Sequence, residues 1–293
     1  MILAGLLWGS SGIFVHYLAP LGFSPLQMTT ARAGVSFVCI ATVMLIKNRR
    51  GFAVRPLGLL RFLALGTCLY LTAVCYYTSM QMTAVSVAVV LMYTAPIYVM
   101  LFSVTVLREK FSAVKVISVF AMLIGCILVS GVIGNAKFSL PGILIGVASG
   151  IAYAAYTIIA KMSVSEEYEP MTVTTYAFLF MFIISSFVAS PVDVVRVAAV
   201  NPLSAVPLLI GLGIFTFVLP YFLYNLSMRS LSAGTVSALG IIEPMSATLF
   251  GVILFSERLD VYSTVGIILI LITVVLLSRE EISDSIKEGE NER

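Results

Sequence analysis

The sequence predicts an all-α membrane protein of ten transmembrane helices, arranged as two inverted five-helix repeats. Three observations predict it. Hydrophobic residues make up 60% of the chain and charged residues 11%, far from the roughly 25% charged of a soluble domain. The mean hydropathy is +1.09. Apolar blocks recur along the whole chain with short gaps, each near the about 20 residues that a helix needs to cross the hydrocarbon core. Finally, the second half of the chain repeats motifs of the first.

The predicted spans are 1 to 19, 25 to 46, 57 to 79, 84 to 106, 113 to 133, 140 to 162, 171 to 192, 204 to 227, 232 to 255 and 261 to 278. The first has no basic residue ahead of it and no small-residue cleavage site, so it reads as a span and not as a removable signal peptide. Spans 5 and 10 carry almost nothing polar and are poor candidates for lining a pathway. On span 6, Gly142, Gly146 and Gly150 form a stripe that permits close backbone approach. Internal packing is its expected use, with dimerisation the alternative. The tail from Arg279 to Arg293, REEISDSIKEGENER, is polar enough to be expected mobile. Cys39, Cys68, Cys75 and Cys126 lie inside spans, where they act as small apolar residues with no disulfide or zinc signature.

Orientation follows Lys and Arg in short loops. The gap between spans 2 and 3 carries Lys47, Arg49, Arg50, Arg55 and, at its edge, Arg61, while the next basic gap carries Arg108, Lys110 and Lys115. The gaps after spans 1 and 3 have none, and those after 5, 7 and 9 have Lys137, Arg196 and Arg258. The basic gaps are therefore expected to be cytoplasmic, and an even span count puts both termini there too. Only Lys161 and Arg229 support this in the second half before the tail.

SPLQMTT at Ser24 to Thr30 lines up with EPMTVTT at Glu169 to Thr175, and the same offset pairs Trp8 with Tyr153 and His16 with Lys161. APIYVMLFSVTVLREKF at Ala95 to Phe111 lines up with EPMSATLFGVILFSERL at Glu243 to Leu259, pairing Pro96 with Pro244 and Glu109 with Glu257. The copies are residues 1 to 133 and 140 to 278. Five spans is an odd number, so the second copy enters the membrane from the opposite side. Such pairs characterise secondary transporters, with the substrate site near the midplane between the copies.

These features resemble the EamA family of the drug/metabolite transporter superfamily over nearly the whole chain. The resemblance rests on LLWGSS in span 1, Arg32 in span 2, YYTSMQMTAVSVAVVLMYTAP followed by REKF, and YNLSMRSLSAGTVSALGIIEP followed by SERL. It implies a basket of two inverted five-helix repeats with spans 5 and 10 at the periphery, and the export of amino acids or other small metabolites. One departure is that Met1 falls within the expected first helix, so the family pattern places a few residues before it.

Proline lacks the N–H that would bond the carbonyl four residues back, so Pro244 and Pro96 are expected to open spans 9 and 4 at Gly240 and Met92. They act either as gates or as static kinks. Glu243 should face a wet interior, as a pathway residue or as hydrogen-bonded glue between helices. The other copy has no acid there, so Glu243 breaks the pseudo-symmetry. Arg32 either fills a structural role or clamps a substrate carboxylate. His16, at a span edge, reads as interfacial.

Trp8, Tyr70, Tyr93, Tyr153 and Tyr156 sit well inside spans, where their polar edges need partners, and are expected to line a cavity with Ser11, one turn from Trp8. Tyr77 and Asn225 join them as substrate-binding candidates, although Tyr76, Tyr77, Tyr221 and Tyr224 lie near span ends and also suit the interfacial aromatic belts.

No GxxxxGK[ST], HExxH or GxSxG pattern occurs, and the chain has one histidine, so neither an ATP-driven pump nor a Ser–His or His-ligated metal site is encoded. No cofactor or metal is expected. The expected partners are a small-molecule substrate and the lipid bilayer, with no nucleic acid, the chain working as a monomer in the cytoplasmic membrane. A single acid, a single deep Arg and scattered tyrosines suit one binding site and alternating access. The alternatives are a channel-like facilitator and, behind it, a membrane-embedded enzyme.

The topology is directly testable. A cysteine placed at Asn48, with the four native cysteines removed, should resist impermeant thiol reagents in intact cells. Ready labelling would reverse the orientation.

Overall fold

A computed structural model describes residues 1–107, 112–132, 139–166, 168–256 and 259–291. Arg108, Glu109, Lys110, Lys137, Glu257 and Arg258, and with them most of the REKF and SERL motifs, lie outside the described residues. All regular structure among the described residues is helical. The helices are α1 (Ile2–Gly9), α2 (Ser11–Leu18), α3 (Pro25–Lys47), α4 (Pro56–Met82), α5 (Val85–Met92), α6 (Ala95–Phe102), α7 (Ala113–Val129) and α8 (Leu140–Glu166). They continue with α9 (Pro170–Ser186), α10 (Pro191–Val200), α11 (Pro202–Gly213), α12 (Leu219–Ser227), α13 (Ala233–Leu239), α14 (Ile242–Phe255) and α15 (Val261–Asn291).

Among the described residues, eight segments are long and apolar enough to cross a membrane: Ile2–Leu21, Pro25–Lys47, Pro56–Met82, Val85–Leu107, Leu140–Val164, Pro202–Ser227, Ala233–Phe255 and Val261–Glu280. This is a multi-pass membrane protein. Two expected spans come out differently. The stretch expected at 171 to 192 ends its first helix at Ser186 and turns through 84° into α10. Ser190 and Pro191 cause the turn: the Ser190 hydroxyl accepts the Val192 N–H at 3.2 Å, and Pro191 opens the new helix where its missing N–H costs nothing. The described part of the stretch expected at 113 to 133 is helical over Ala113–Val129, 17 residues. The polar tail, expected to be mobile, continues α15 as helix to Asn291.

Helix starts follow local chemistry. Ser24 and Gln27 form a reciprocal capping box ahead of α3, with Pro25 at its first position. Ser112 and Ser232 accept N–H groups of Lys115 and Thr235 at the starts of α7 and α13. Asp260 accepts the Ser263 N–H at 2.6 Å at the head of α15. These bonds to Ser263 hold the exposed Asp260 carboxyl below the usual carboxylate range.

The chain shuttles between two ends. At one, Asn48 Nδ2 donates to Glu169 Oε2 at 2.9 Å, the Tyr176 hydroxyl to the Phe52 carbonyl at 3.0 Å, and Lys161 Nζ to the carbonyls of Met228 and Leu231 at 2.6 and 2.8 Å. At the other, the Ser79 hydroxyl donates to the Gly142 carbonyl at 2.8 Å. Between the ends, α4 packs on α8 and α9, α3 on α9, and α1 on α12 and α14. The glycine stripe of α8 is used internally. A Cβ at Gly146 would meet Leu91 and Ser79 of the neighbouring helices, and one at Gly150 the carbonyls of Leu91 and Met92. Helices α7 and α15 pair with each other, with Gly125 and Gly266 at the closest approach.

Helix α1 lies against α14 through glycine. The Ser246 hydroxyl reaches the Gly5 carbonyl at 3.1 Å. A Cβ on Gly9 would strike Ser246 Oγ and lie 2.7 Å from the Ala247 nitrogen, whereas one on Gly12 would meet nothing within 4 Å. Gly9→Val should therefore cost about 1–3 kcal/mol through overpacking, read as a lower melting temperature in detergent. Gly12→Ala should leave that temperature unchanged.

Candidate functional site

Broken helices build the site. In the Pro244 segment, α13 stops at Leu239 and α14 starts at Ile242. The Gly240 carbonyl, which Pro244 cannot serve, accepts the Glu243 N–H at 2.9 Å instead. The break thus satisfies the freed carbonyl by tightening one turn, and it puts Glu243 in the first turn of α14, where the helix dipole favours an anion. The Pro96 segment is also broken: α5 stops at Met92 and α6 starts at Ala95, and just past the break the Thr94 carbonyl accepts the Ile97 N–H at 3.0 Å. The two breaks touch. Tyr93, in one, donates its hydroxyl to Glu243 Oε2, in the other, at 2.6 Å.

Two further interruptions face the same space. Ser10 separates α1 from α2, its hydroxyl and N–H both directed at the Leu7 carbonyl, at 2.7 and 3.1 Å. A π-helical turn, Ile214–Val218, joins α11 to α12 just ahead of Pro220. Such wider turns recur at functional sites. This one carries Thr216 and Phe217 into the lining.

The interruptions surround a cavity of about 790 Å³, its open mouth included. Of the expected residues, Trp8, Ser11, Tyr77, Tyr93, Tyr153 and Glu243 line it, and so does Arg32. Tyr70, Tyr156 and Asn225 do not. Tyr70 is buried in the packing of α4. Tyr156 and Asn225 are fully buried one layer behind the wall, where Asn225 Nδ2 donates to Thr174 Oγ1 at 2.9 Å and to the Tyr156 hydroxyl at 3.2 Å. Beside them, Thr157 and Tyr224 share a hydroxyl bond of 2.6 Å. This network holds α8, α9 and α12 together. Pro96 and Pro244 stand at the breaks themselves, outside the lining.

The lining also takes residues outside the expected set: Leu69, Thr72, Ala73, Tyr76, Met92, Thr216, Phe217 and Tyr221. On α4 the signal was present, since 69, 72, 73, 76 and 77 recur at i, i+3, i+4, i+7 and i+8, one face of a helix. Phe217 and Tyr221, four apart, give the same signal beside Pro220. Tyr76, Tyr77 and Tyr221 are thus cavity residues and not interfacial belts. In the wall Trp8 meets Tyr221 edge-on at 5.1 Å, and behind it Trp8 meets Tyr224 at 5.4 Å. His16 is exposed, against Phe255 at 4.4 Å. Among the described residues, no cluster of three His, Cys, Asp or Glu gathers as a metal site would require.

Against known proteins, a sequence-family model described as the EamA-like transporter family matches residues 1–131 and 140–279. The chain belongs to that family. Through it the protein falls in the drug/metabolite transporter superfamily. An uncharacterized transporter of Archaeoglobus fulgidus is 26% identical over 96% of this chain and 95% of its own. The uncharacterized transporter YwfM of Bacillus subtilis is 24% identical over 95% of this chain and 92% of its own. A crystal structure superposes with a TM-score of 0.76 at 15% identity, covering 96% of both chains; that likeness bears on the fold alone. The family and relatives carry the names of transporters, not of enzymes.

The layering of this EamA-like chain is testable. Asn225→Ala leaves the Tyr156 and Thr174 hydroxyls short of a buried partner and should cost about 1–3 kcal/mol. Thermal unfolding in detergent should register the loss, and Ser11→Ala, at the cavity surface, should not.

Proposed function

We propose that this protein is a secondary transporter that exports amino acids or other small metabolites across the cytoplasmic membrane by alternating access. The observation that carries the reading is the cavity itself. Four interrupted helical segments border it, aromatic rings wall it, and one acid and one base, Glu243 and Arg32, face it. Interrupted helices around a midplane site are the construction of secondary transporters. A zwitterion suits the two charges, and an apolar side chain suits Trp8, Phe217 and Tyr221.

The working parts are two inverted five-helix copies, residues 1 to 133 and 140 to 278. The two matched family segments support this division, as do the paired breaks at Pro96 and Pro244. The basic gap at 47 to 55 supports cytoplasmic termini. Internal use of the α8 glycine stripe supports a monomer.

Within this carrier Glu243 is a pathway residue. In a cavity of low dielectric its charge state depends on hydration, on Arg32 and on what is bound. Tyr93 holds one of its oxygens and leaves it able to answer a ligand.

Counterflow in proteoliposomes, against amino acids, cations and sugars, tests both levels. Saturable exchange of at least one small metabolite is expected, and flux that neither saturates nor shows counter-transport would replace the carrier with a channel. Glu243→Gln should keep its melting temperature yet lower the initial rate or flatten its pH profile. Wild-type rates and profile in that variant would leave Glu243 as glue.

A further inference from the structure

We infer that Arg32 is the substrate-binding guanidinium of the cavity, a fork that takes the carboxylate of a small acid whose apolar body lies on Trp8 and Tyr221. The inference rests on the carrier reading and narrows it to a substrate class.

Arg32 lines the cavity, and its guanidinium carbon stands 4.3 Å from the centroid of the Phe217 ring. Stacking satisfies the face of the guanidinium and leaves its in-plane N–H groups to find acceptors. They do not find them in the wall. Arg32 Nε is buried with no hydrogen-bond partner. Hydroxyls nearby in the chain donate elsewhere, Thr29 to the Pro25 carbonyl at 2.8 Å, Thr30 to the Ser185 carbonyl at 3.4 Å and Ser36 to the Gly213 carbonyl at 3.0 Å, and Arg32 Nε donates to none of them. Glu243, the carboxylate in the lining, accepts the Tyr93 hydroxyl at 2.6 Å and interacts with Arg32 only as a charge across the cavity, without a hydrogen bond between them.

A purely structural arginine would be expected to reach carbonyls or a carboxylate of its own protein, because a buried charge without them is costly. Lys161 does so, through the carbonyls of Met228 and Leu231. Arg32 does not. Its flat fork, held from one side by Phe217, matches a carboxylate, which accepts two parallel N–H bonds. The same cavity already provides the apolar wall for the rest of such a molecule. A phosphate monoester offers similar oxygens, so the test includes one.

Trp8 is the chain's one tryptophan and lines the cavity, so its fluorescence reports occupancy without a label. Purified protein in detergent is titrated with L-phenylalanine, hydrocinnamate, phenethylamine and phenyl phosphate, beside its Arg32→Lys and Arg32→Gln variants. The two carboxylates should change Trp8 emission saturably, and phenethylamine should not. Arg32→Lys should weaken the carboxylates about tenfold, and Arg32→Gln should abolish the response.

Equal binding of phenethylamine and hydrocinnamate would overturn the assignment, and so would a flat response to both carboxylates. Preference for phenyl phosphate over hydrocinnamate would likewise replace the carboxylate. The acid-against-amine comparison uses wild-type protein, so it stands even if an Arg32 variant misfolds. Counterflow of a substrate lacking a carboxylate would sink the role of Arg32 while leaving the carrier intact.

Discussion

A carbonyl that loses its donor inside a bilayer has no water to turn to. That constraint governs this structure more than any single contact, because two prolines, Pro96 and Pro244, each remove a donor in mid-membrane. At Pro244 the backbone answers locally, moving the Glu243 N–H onto Gly240 and ending one helix to start another. The consequence is chemical. A fresh helix N-terminus appears deep in the protein with a carboxylate in its first turn, and the matching break offers Tyr93 to it. Had either segment stayed continuous, Tyr93 and Glu243 would not meet in this way.

Around these breaks the polar groups sort into two populations. Most hydroxyls are spent on their own helices: Thr72 and Thr216, though both line the cavity, donate to Cys68 and Leu212 at 2.7 and 2.6 Å. Behind the wall, Asn225, Tyr156, Thr174, Thr157 and Tyr224 bond one another and knit three helices. Because those demands are met internally, the polar capacity left facing the cavity is concentrated in a few groups, Arg32 foremost.

Much of this was legible in the sequence, for physical reasons. The solvent dictates apolar runs of membrane length, so eight of the ten expected spans can be read to within a few residues, and proline dictates where two of them break. Depth in a span marked Trp8, Tyr93, Tyr153 and Glu243 as interior. What composition does not encode is direction around the helix axis. Tyr70 and Tyr156 are as deep as Tyr153 but point into packing, while Tyr76 and Tyr77 lie near a span end, where an interfacial belt is the competing reading, yet share the α4 face with Leu69 and Thr72. Distance to the span end was the wrong coordinate there, and angular position was the right one. The 84° turn at Ser190–Pro191 was hidden because apolar content alone continues smoothly across it.

The unequal breaks carry a kinetic meaning. When the two prolines are aligned, Ala95 stands where Glu243 stands, so only one of the paired interruptions bears a charge. In the carrier proposed, perfectly matched copies would make the two facing conformations equal in free energy, and an empty molecule would divide its time evenly between them. An unmatched carboxylate lifts that degeneracy. The carrier then rests facing one compartment and shows different half-saturation concentrations on its two faces. The final concentration ratio still follows from the driving gradient alone, since detailed balance forbids a passive protein from setting it.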